Sequence, residues 1–226
     1  MGLMAGLAEL VFPTRCAGCE LPGAVLCAGC LDALPRIEAS GRCPRCGAPY
    51  GALTCTECWN REWAFSAALA LGELEAPLAR AVVLHKDAGE RRLAAVLGAL
   101  LAEQVALAWP GWAQAVTYMP ATRAALRRRG FDHGLAIGSA LASELDVPLL
   151  AALVRGDARD QRSLGRTARA ANAAGTFSVA PDSELPDRLL ITDDVLTTGA
   201  TLDVAAAVLL GAGAAEVRVA AVARSW

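Results

Sequence analysis

From Phe65 onward, short apolar runs alternate with longer segments in which apolar residues recur every three or four positions. The runs at 65–71, 115–119, 189–191 and 217–222 predict strands, and the segments at 76–86, 90–108, 136–145 and 200–210 predict helices. In the second helical segment Leu93, Val96, Leu97, Leu100, Leu101 and Val105 share a face. In the third, Ile137, Ala140, Leu141 and Leu145 do. Strands and helices in this rhythm predict an α/β fold, a parallel sheet flanked by helices. Before Phe65 the pattern is different. Leu3, Leu7, Leu10 and Val11 fit one face of a short amphipathic helix, after which the chain is rich in Gly and Pro and has no helical period. That stretch carries too little apolar material to build much of a core by itself.

Two further stretches bear on placement. Residues 93–109 are apolar but are broken by Glu103 and Gln104 and are too short to cross a bilayer. The N-terminus lacks a basic region and a cleavage site, so it does not read as a signal peptide. No membrane insertion and a cytoplasmic location are expected. Residues 155–175 form a long polar stretch with Arg155, Arg159, Arg162, Arg166 and Arg169. A loop of that length inside a compact domain is functional or mobile.

Composition narrows the class. Of 226 residues, 55% are hydrophobic and 19% charged, which supplies a core and excludes a disordered chain. The net charge of -2 gives no global basic field for nucleic acid, so such binding would need local patches. All eight cysteines fall between Cys16 and Cys58. The expected division is therefore a cysteine-rich domain at 1–60 and an α/β domain at 61–226.

The cysteines form four Cys-x-x-Cys knuckles: Cys16/Cys19, Cys27/Cys30, Cys43/Cys46 and Cys55/Cys58. A two-residue spacer lets two thiolates point at one ion, and tetrahedral zinc takes two knuckles. Eight cysteines make two sites, structural because four thiolates leave no open position. The gaps of seven, twelve and eight residues favour two sequential zinc ribbons, with a cross-braced pairing as the alternative. A disulfide framework fits poorly in a chain with no secretory signal and a large second domain.

The strongest chemical signal is LLITDDVLTTGAT, residues 189–201. An apolar strand leads to Asp193 and Asp194, and then Thr197, Thr198, Gly199, Ala200 and Thr201 open a helix. A helix start offers N–H groups and a favourable dipole to an anion. Gly199, without a Cβ, permits close approach. Two adjacent carboxylates suit the vicinal hydroxyls of a ribose. An anion cradle beside an acid pair is consistent when the ligand carries both groups, as a phosphoribosyl compound does.

This segment resembles the 13-residue phosphoribosyl pyrophosphate (PRPP) motif of type I phosphoribosyltransferases, departing at Thr192, where the family has an apolar residue. The resemblance extends to the ComF competence-protein family over nearly the whole chain, through the cysteine knuckles, LHKDAGERRLA (84–94), MPATRAALRRRGFDH (119–133), DQRSLGRTARAANAAGTF (160–177) and the closing VAAVARSW. The family pattern Arg-Gly-Phe-Asn-Gln is here Arg129-Gly130-Phe131-Asp132-His133, so Asp132 and His133 receive no family role. The resemblance implies a type I phosphoribosyltransferase-like fold with a zinc-ribbon head. It implies Mg²⁺ arriving with PRPP, a diphosphate loop at 119–123 with Arg123 as its contact, and a hood loop over 155–175. Arg127, Arg128 and Arg129 are consecutive and would fan around a helix. Lys86 could approach the same pocket or cap the C-terminus of its helix, with capping favoured, and His85 is read as a packed or surface residue with no catalytic role.

Two functions follow as expectations. One is phosphoribosyl binding, with possible transfer to a nitrogen nucleophile and release of pyrophosphate. The other is a non-catalytic PRPP sensor or single-stranded-DNA adaptor that acts with a competence helicase, as the family's link to DNA uptake implies.

Overall fold

The computed structural model describes residues 13–49, 51–156, 176–181 and 183–226. The amphipathic lead-in at 3–11 and Arg159, Arg162, Arg166 and Arg169 lie outside them. In chain order the elements are α1 (Ala28–Asp32), α2 (Thr56–Trp59), β1 (Ala67–Glu73), α3 (Leu78–Lys86), α4 (Leu93–Ala108), β2 (Ala115–Tyr118), α5 (Arg123–Arg129) and α6 (His133–Glu144). Then come β3 (Leu149–Leu150), β4 (Leu153–Arg155), β5 (Phe177–Val179), β6 (Arg188–Leu196), α7 (Ala200–Gly211) and β7 (Glu216–Arg224).

The main sheet has five strands in the order β1-β7-β6-β2-β3, and every pairing is parallel. It is buried on both faces, as parallel sheets require. Along β7 the side chains alternate: Val217, Val219 and Ala221 belong to the core shared with α7. Ala220 and Val222 belong to the core of α3, α4 and α6. The helical faces read from the sequence supply that second core, where Leu93, Leu97, Leu101, Ile137 and Leu141 are almost fully buried. Each such side chain contributes about 1.5–3 kcal/mol of burial.

Register places the functional end. β2 pairs with β6 from Ala115↔Leu189 to Tyr118↔Thr192, and Met119 N–H closes the ladder on the Thr192 carbonyl at 3.0 Å. Pro120, with no N–H to donate, ends the strand. β6 continues to Leu196 beside β7 alone. Asp193 and Asp194 therefore begin where β2 stops. The chain leaves β2 toward β3 on one side and leaves β6 toward β7 on the other. Divergence of neighbouring connections opens a crevice at the carboxyl ends of parallel strands.

The cysteine-rich stretch packs on this body in two places. Cys16, Ala17, Leu26 and Leu34 join the core of α3 and α4. Residues 35–37 run along the outer edge of β1, with Ile37 N–H bonded to Leu71 O and Glu73 N–H bonded to Pro35 O. That covers an edge otherwise open to pairing. Cys43, Cys46, Ala48 and Cys58 form a separate small cluster against Trp63. Gly47 lets it lie on β1, since a Cβ there would sit 2.9 Å from the Ala68 carbonyl oxygen.

Candidate functional site

A cavity of about 510 Å³ lies in the crevice. Its floor is the end of β6 with Asp193, Asp194 and Val195, and one wall is the turn from Thr197 to Leu202. The opposite wall is the turn after β2, from Met119 to Thr122, with α5 behind it. All the residues of the predicted phosphate loop line this cavity. Thr197, Thr198, Ala200 and Thr201 are exposed, so no side chain plugs the turn. Gly199 is the N-cap of α7 at φ 74°, in the left-handed region. It has no side chain to cap the helix, which leaves the positive end of the helix facing the cavity. The missing Cβ also makes room within the protein, since that atom would lie 3.0 Å from the Trp63 ring.

The acid pair is held apart electrostatically. Each Oδ1 accepts the next backbone N–H, Asp193 from Asp194 and Asp194 from Val195, both at 2.9 Å. Asp194 is 4% exposed. Its Oδ2 lies 2.5 Å from Lys86 Nζ and 3.5 Å from His133 Nε2. Burial opposes its ionisation, but the Lys86 ammonium and the His133 ring outweigh burial and hold it below the usual carboxylate range. Among the described residues Asp193 has no such ion pair, and Lys86 acts on it only as a lesser, opposing influence. Burial, and then the Asp194 charge, push it up to about 8. Two adjacent carboxyls thus divide into one fixed anion and one that keeps its proton near neutrality.

Lys86 is therefore part of the cavity, which decides between its two readings against the favoured helix cap: its side chain crosses to Asp194 instead of folding onto α3. Of packed or surface, His85 is packed. It is 1% exposed, with Nδ1 near Glu90 O and Nε2 near His133 O. His133 was left without a role, yet it lines the cavity. Burial pulls its pKa down, helped by Lys86 and Arg129 against the pull of Asp194. Arg129 Nη1 lies 3.2 Å from its Nδ1. A guanidinium only donates, so Nδ1 accepts and the ring proton sits on Nε2, facing Asp194. Asp132, the other departure, is the N-cap of α6. It accepts from Gly134 and Leu135 N–H, and from Ala121 N–H at 3.1 Å, which ties the turn after β2 to the helix.

Arg123, the first residue of α5, is exposed and is not among the cavity-lining residues. Arg128 and Arg129 from the last turn of α5 line it, as does Arg155 at the end of β4. Arg127 is exposed and outside it, so the three consecutive arginines do fan around the helix. Arg129 is fixed by Asp87 Oδ1 at 3.0 Å.

The eight cysteines gather as Cys16, Cys19, Cys27, Cys30 and as Cys43, Cys46, Cys55, Cys58, with each set of four sulfurs within 4.8 Å. The pairing is sequential, and the cross-braced alternative falls. All eight are unbridged. Neighbouring sulfurs stand 3.7 Å apart at Cys19–Cys27 and 3.6 Å at Cys46–Cys55. A tetrahedron with Zn–S of about 2.3 Å has edges of about 3.8 Å, so the donor sets fit zinc. Burial disfavours the Cys16 thiolate, but N–H groups of Cys19, Cys27 and Gly18 outweigh it and bring it down to about 6. The same balance, through Cys46, Cys55 and Arg45, brings Cys43 to about 7.

The model of the phosphoribosyl transferase domain family matches residues 132–225, which hold the acid pair and the turn into α7. Competence protein F of Haemophilus influenzae is 27% identical over 210 residues, covering 88% of this chain and 90% of that protein. DNA utilization protein YhgH of Salmonella typhi is 28% identical over 226 residues, covering 93% and 96%. With the two four-cysteine clusters in place, the match runs through both parts of the chain. The chain is similar to these ComF-type proteins over nearly its whole length. Among solved structures, the B. subtilis glutamine PRPP amidotransferase complexed with ADP and GMP is similar over 57% of this chain and 26% of its own, at 21% identity and a TM-score of 0.41. The fold is the type I phosphoribosyltransferase sheet with a cysteine-rich region whose clusters fit zinc ribbons. Among the described residues no helix is long and apolar enough to cross a membrane.

Proposed function

We propose that this protein binds PRPP, or a closely related phosphoribosyl compound, with Mg²⁺ in the cavity at the ends of β2 and β6. The observation that carries this reading is the open turn into α7 beside the adjacent carboxyls of Asp193 and Asp194 on the floor of the cavity. The 5′-phosphate sits on Thr197, Thr198, Gly199, Ala200 and Thr201, where N–H groups and the helix dipole meet it. The ribose hydroxyls reach Asp193 and Asp194. Lys86, Arg128, Arg129 and Arg155 surround the space left for the diphosphate. They are better situated for it than Arg123, the sequence-based contact.

Mg²⁺ favours carboxylate and phosphate oxygens and keeps much of its water. Asp193 and Asp194 offer carboxylate oxygens close to one another, while His133, with Nδ1 accepting from Arg129 and its proton on Nε2, orients Asp194; Mg²⁺ bound with PRPP would supply charge neutralisation on the diphosphate. Lys86 holds Asp194 anionic, and the arginines accept negative charge as the leaving group departs. Transfer, with an acceptor nitrogen present, breaks the bond from the anomeric carbon to diphosphate oxygen. The bond pair leaves with pyrophosphate, the nitrogen lone pair forms the new bond, and the proton that nitrogen carried passes to the departing pyrophosphate or to water. The protein contributes position and electrostatics. Each four-cysteine cluster holds one structural zinc in this reading, and the protein serves DNA uptake or nucleotide metabolism.

A second reading is favoured by the relatives named for competence and DNA utilization. Here the same cations grip single-stranded DNA and the cysteine-rich region meets a partner such as a helicase. Calorimetry separates the two. PRPP·Mg²⁺ is expected to bind the parent protein and not Asp194→Asn, with pyrophosphate released when an acceptor is supplied. Absence of PRPP binding, with oligonucleotide affinity falling steeply as salt rises, favours the second reading.

A further inference from the structure

Trp63 touches both chemistries of the chain. Its indole Nε1–H donates to Cys58 Sγ at 3.2 Å. Cys58 is fully buried and is the last ligand of the second four-cysteine cluster. The far end of the same ring, atoms Cζ3 and Cη2, covers Gly199. A Cβ on Gly199 would lie only 3.0 and 3.1 Å from these atoms. The ring is also stacked on Phe65, with centroids 4.9 Å apart and 23° between planes. The Arg61 guanidinium sits 3.6 Å from its centroid. One residue on, Ala64 N–H donates to Asp203 Oδ1 at 2.7 Å, in the first turn of α7.

These contacts leave the ring little freedom. One end is fixed by a sulfur that belongs to a closed tetrahedral set, and the other end meets the N-cap of the helix that opens the cavity. Gly199 holds a left-handed conformation at that point, and the ring fills the space that a side chain there would need. The geometry points to Trp63 as a positioning residue. It sets the Gly199 backbone, and with it the anion-binding start of α7, by reference to Cys58 of the second four-cysteine site. This deepens the proposed phosphoribosyl reading and rests on it. Zinc in the second cluster then tightens PRPP binding, and PRPP retains that zinc by the same factor, because coupling between two binding equilibria is reciprocal. The first cluster packs on α3 and α4 and takes no part, which makes it an internal control.

The test uses the full-length protein with two zinc, labelled with 5-fluorotryptophan. The Trp63 resonance is identified by its disappearance in Trp63→Phe. Adding PRPP·Mg²⁺ is expected to shift that resonance and to slow chelator release of one zinc of the two by about tenfold, within the usual range of coupling. Trp63→Leu, still holding two zinc, is expected to bind PRPP·Mg²⁺ about tenfold more weakly, with no slowing of zinc release. Trp63→Phe keeps a ring near Gly199 without the N–H to Cys58. It is expected to retain PRPP affinity within about threefold and to lose the effect on zinc, a split that a merely structural residue does not produce. If the parent binds PRPP but neither the resonance nor zinc release responds, the positioning role is overturned while the phosphoribosyl reading stands. If the parent does not bind PRPP, both fall. Should Trp63→Leu fail to fold, the resonance and zinc release of the parent decide the matter alone.

Discussion

The four-cysteine clusters and the acid-pair cavity both gather metal-ligand residues, but they differ in what remains after the donors are counted. In each cysteine cluster four sulfurs converge and backbone N–H groups turn onto them. A tetrahedral ion fills such a set and leaves no position for a substrate. In the cavity two carboxyls and a histidine converge beside open space, and one carboxyl is held ionised while its neighbour is pushed toward neutrality. Saturated donors make a staple. Unsaturated donors with divided pKa values make a site.

The largest effect that could break this contrast is removal of metal. Metal analysis is expected to give two zinc per chain, and chelation to cost about 10 kcal/mol per site by the measure of structural zinc. The loss should be read as collapse of hydrogen-exchange protection around Cys16–Cys58. A protein without zinc and with oxidised thiols would end the staple reading. On the side of the cavity, Thr198→Ala combined with Gly199→Ala is expected to weaken PRPP·Mg²⁺ by about 100-fold, a typical consequence of losing directed donors to an anion. Far-UV circular dichroism should be unchanged. Equal affinity in calorimetry would remove the loop from the site.

A smaller effect concerns pH. Asp193 is raised from 3.8 to about 8. A carboxyl raised by folding gives its full contribution below the unfolded value and loses it as pH rises through the folded one. Asp193→Asn removes this titration, so its stability relative to the parent should grow between about pH 4 and 8 and level off above. The gain is read as a rise in melting temperature of Asp193→Asn relative to the parent across that range, at about 2–4 °C for each kcal/mol in a chain of this size. A difference that shrinks with rising pH contradicts the division of the pair. The smallest effect is that of Arg123→Ala, for which PRPP·Mg²⁺ affinity is expected within about threefold of the parent, since an exposed charge contributes little. Arg128→Ala is expected to lose more, and the reverse order would return the diphosphate contact to Arg123.

The four strands and four helices that carry the sheet and its cores were legible because their apolar residues repeat over a full face. β3, β4 and β5 were not, being two or three residues long, too short for a period. Their pairing comes from segments far apart in the chain. α5 contains Arg-Ala-Ala-Leu-Arg-Arg-Arg and buries no residue, so it carries no apolar stripe to read. The phosphate loop was legible because strand, acids, glycine and helix are contiguous. Lys86 was legible only as one of two readings and His133 not at all, because their chemistry exists only where α3 and α6 meet the end of β6. Trp63 reads as an ordinary linker aromatic until Cys58 and Gly199 are seen on its two ends.

The sequence by itself determined the α/β alternation, the eight thiolate donors and the order of groups in the turn at 189–201, since each depends on spacing along the backbone. Tertiary structure alone decided that the knuckles pair sequentially, that Lys86 and not a solvent shell balances Asp194, and that arginines from the end of α5 reach the cavity. Those outcomes depend on distances through space between segments tens of residues apart. A charge or a ring acquires its role from the dielectric and the partners around it, and only the packed chain supplies either.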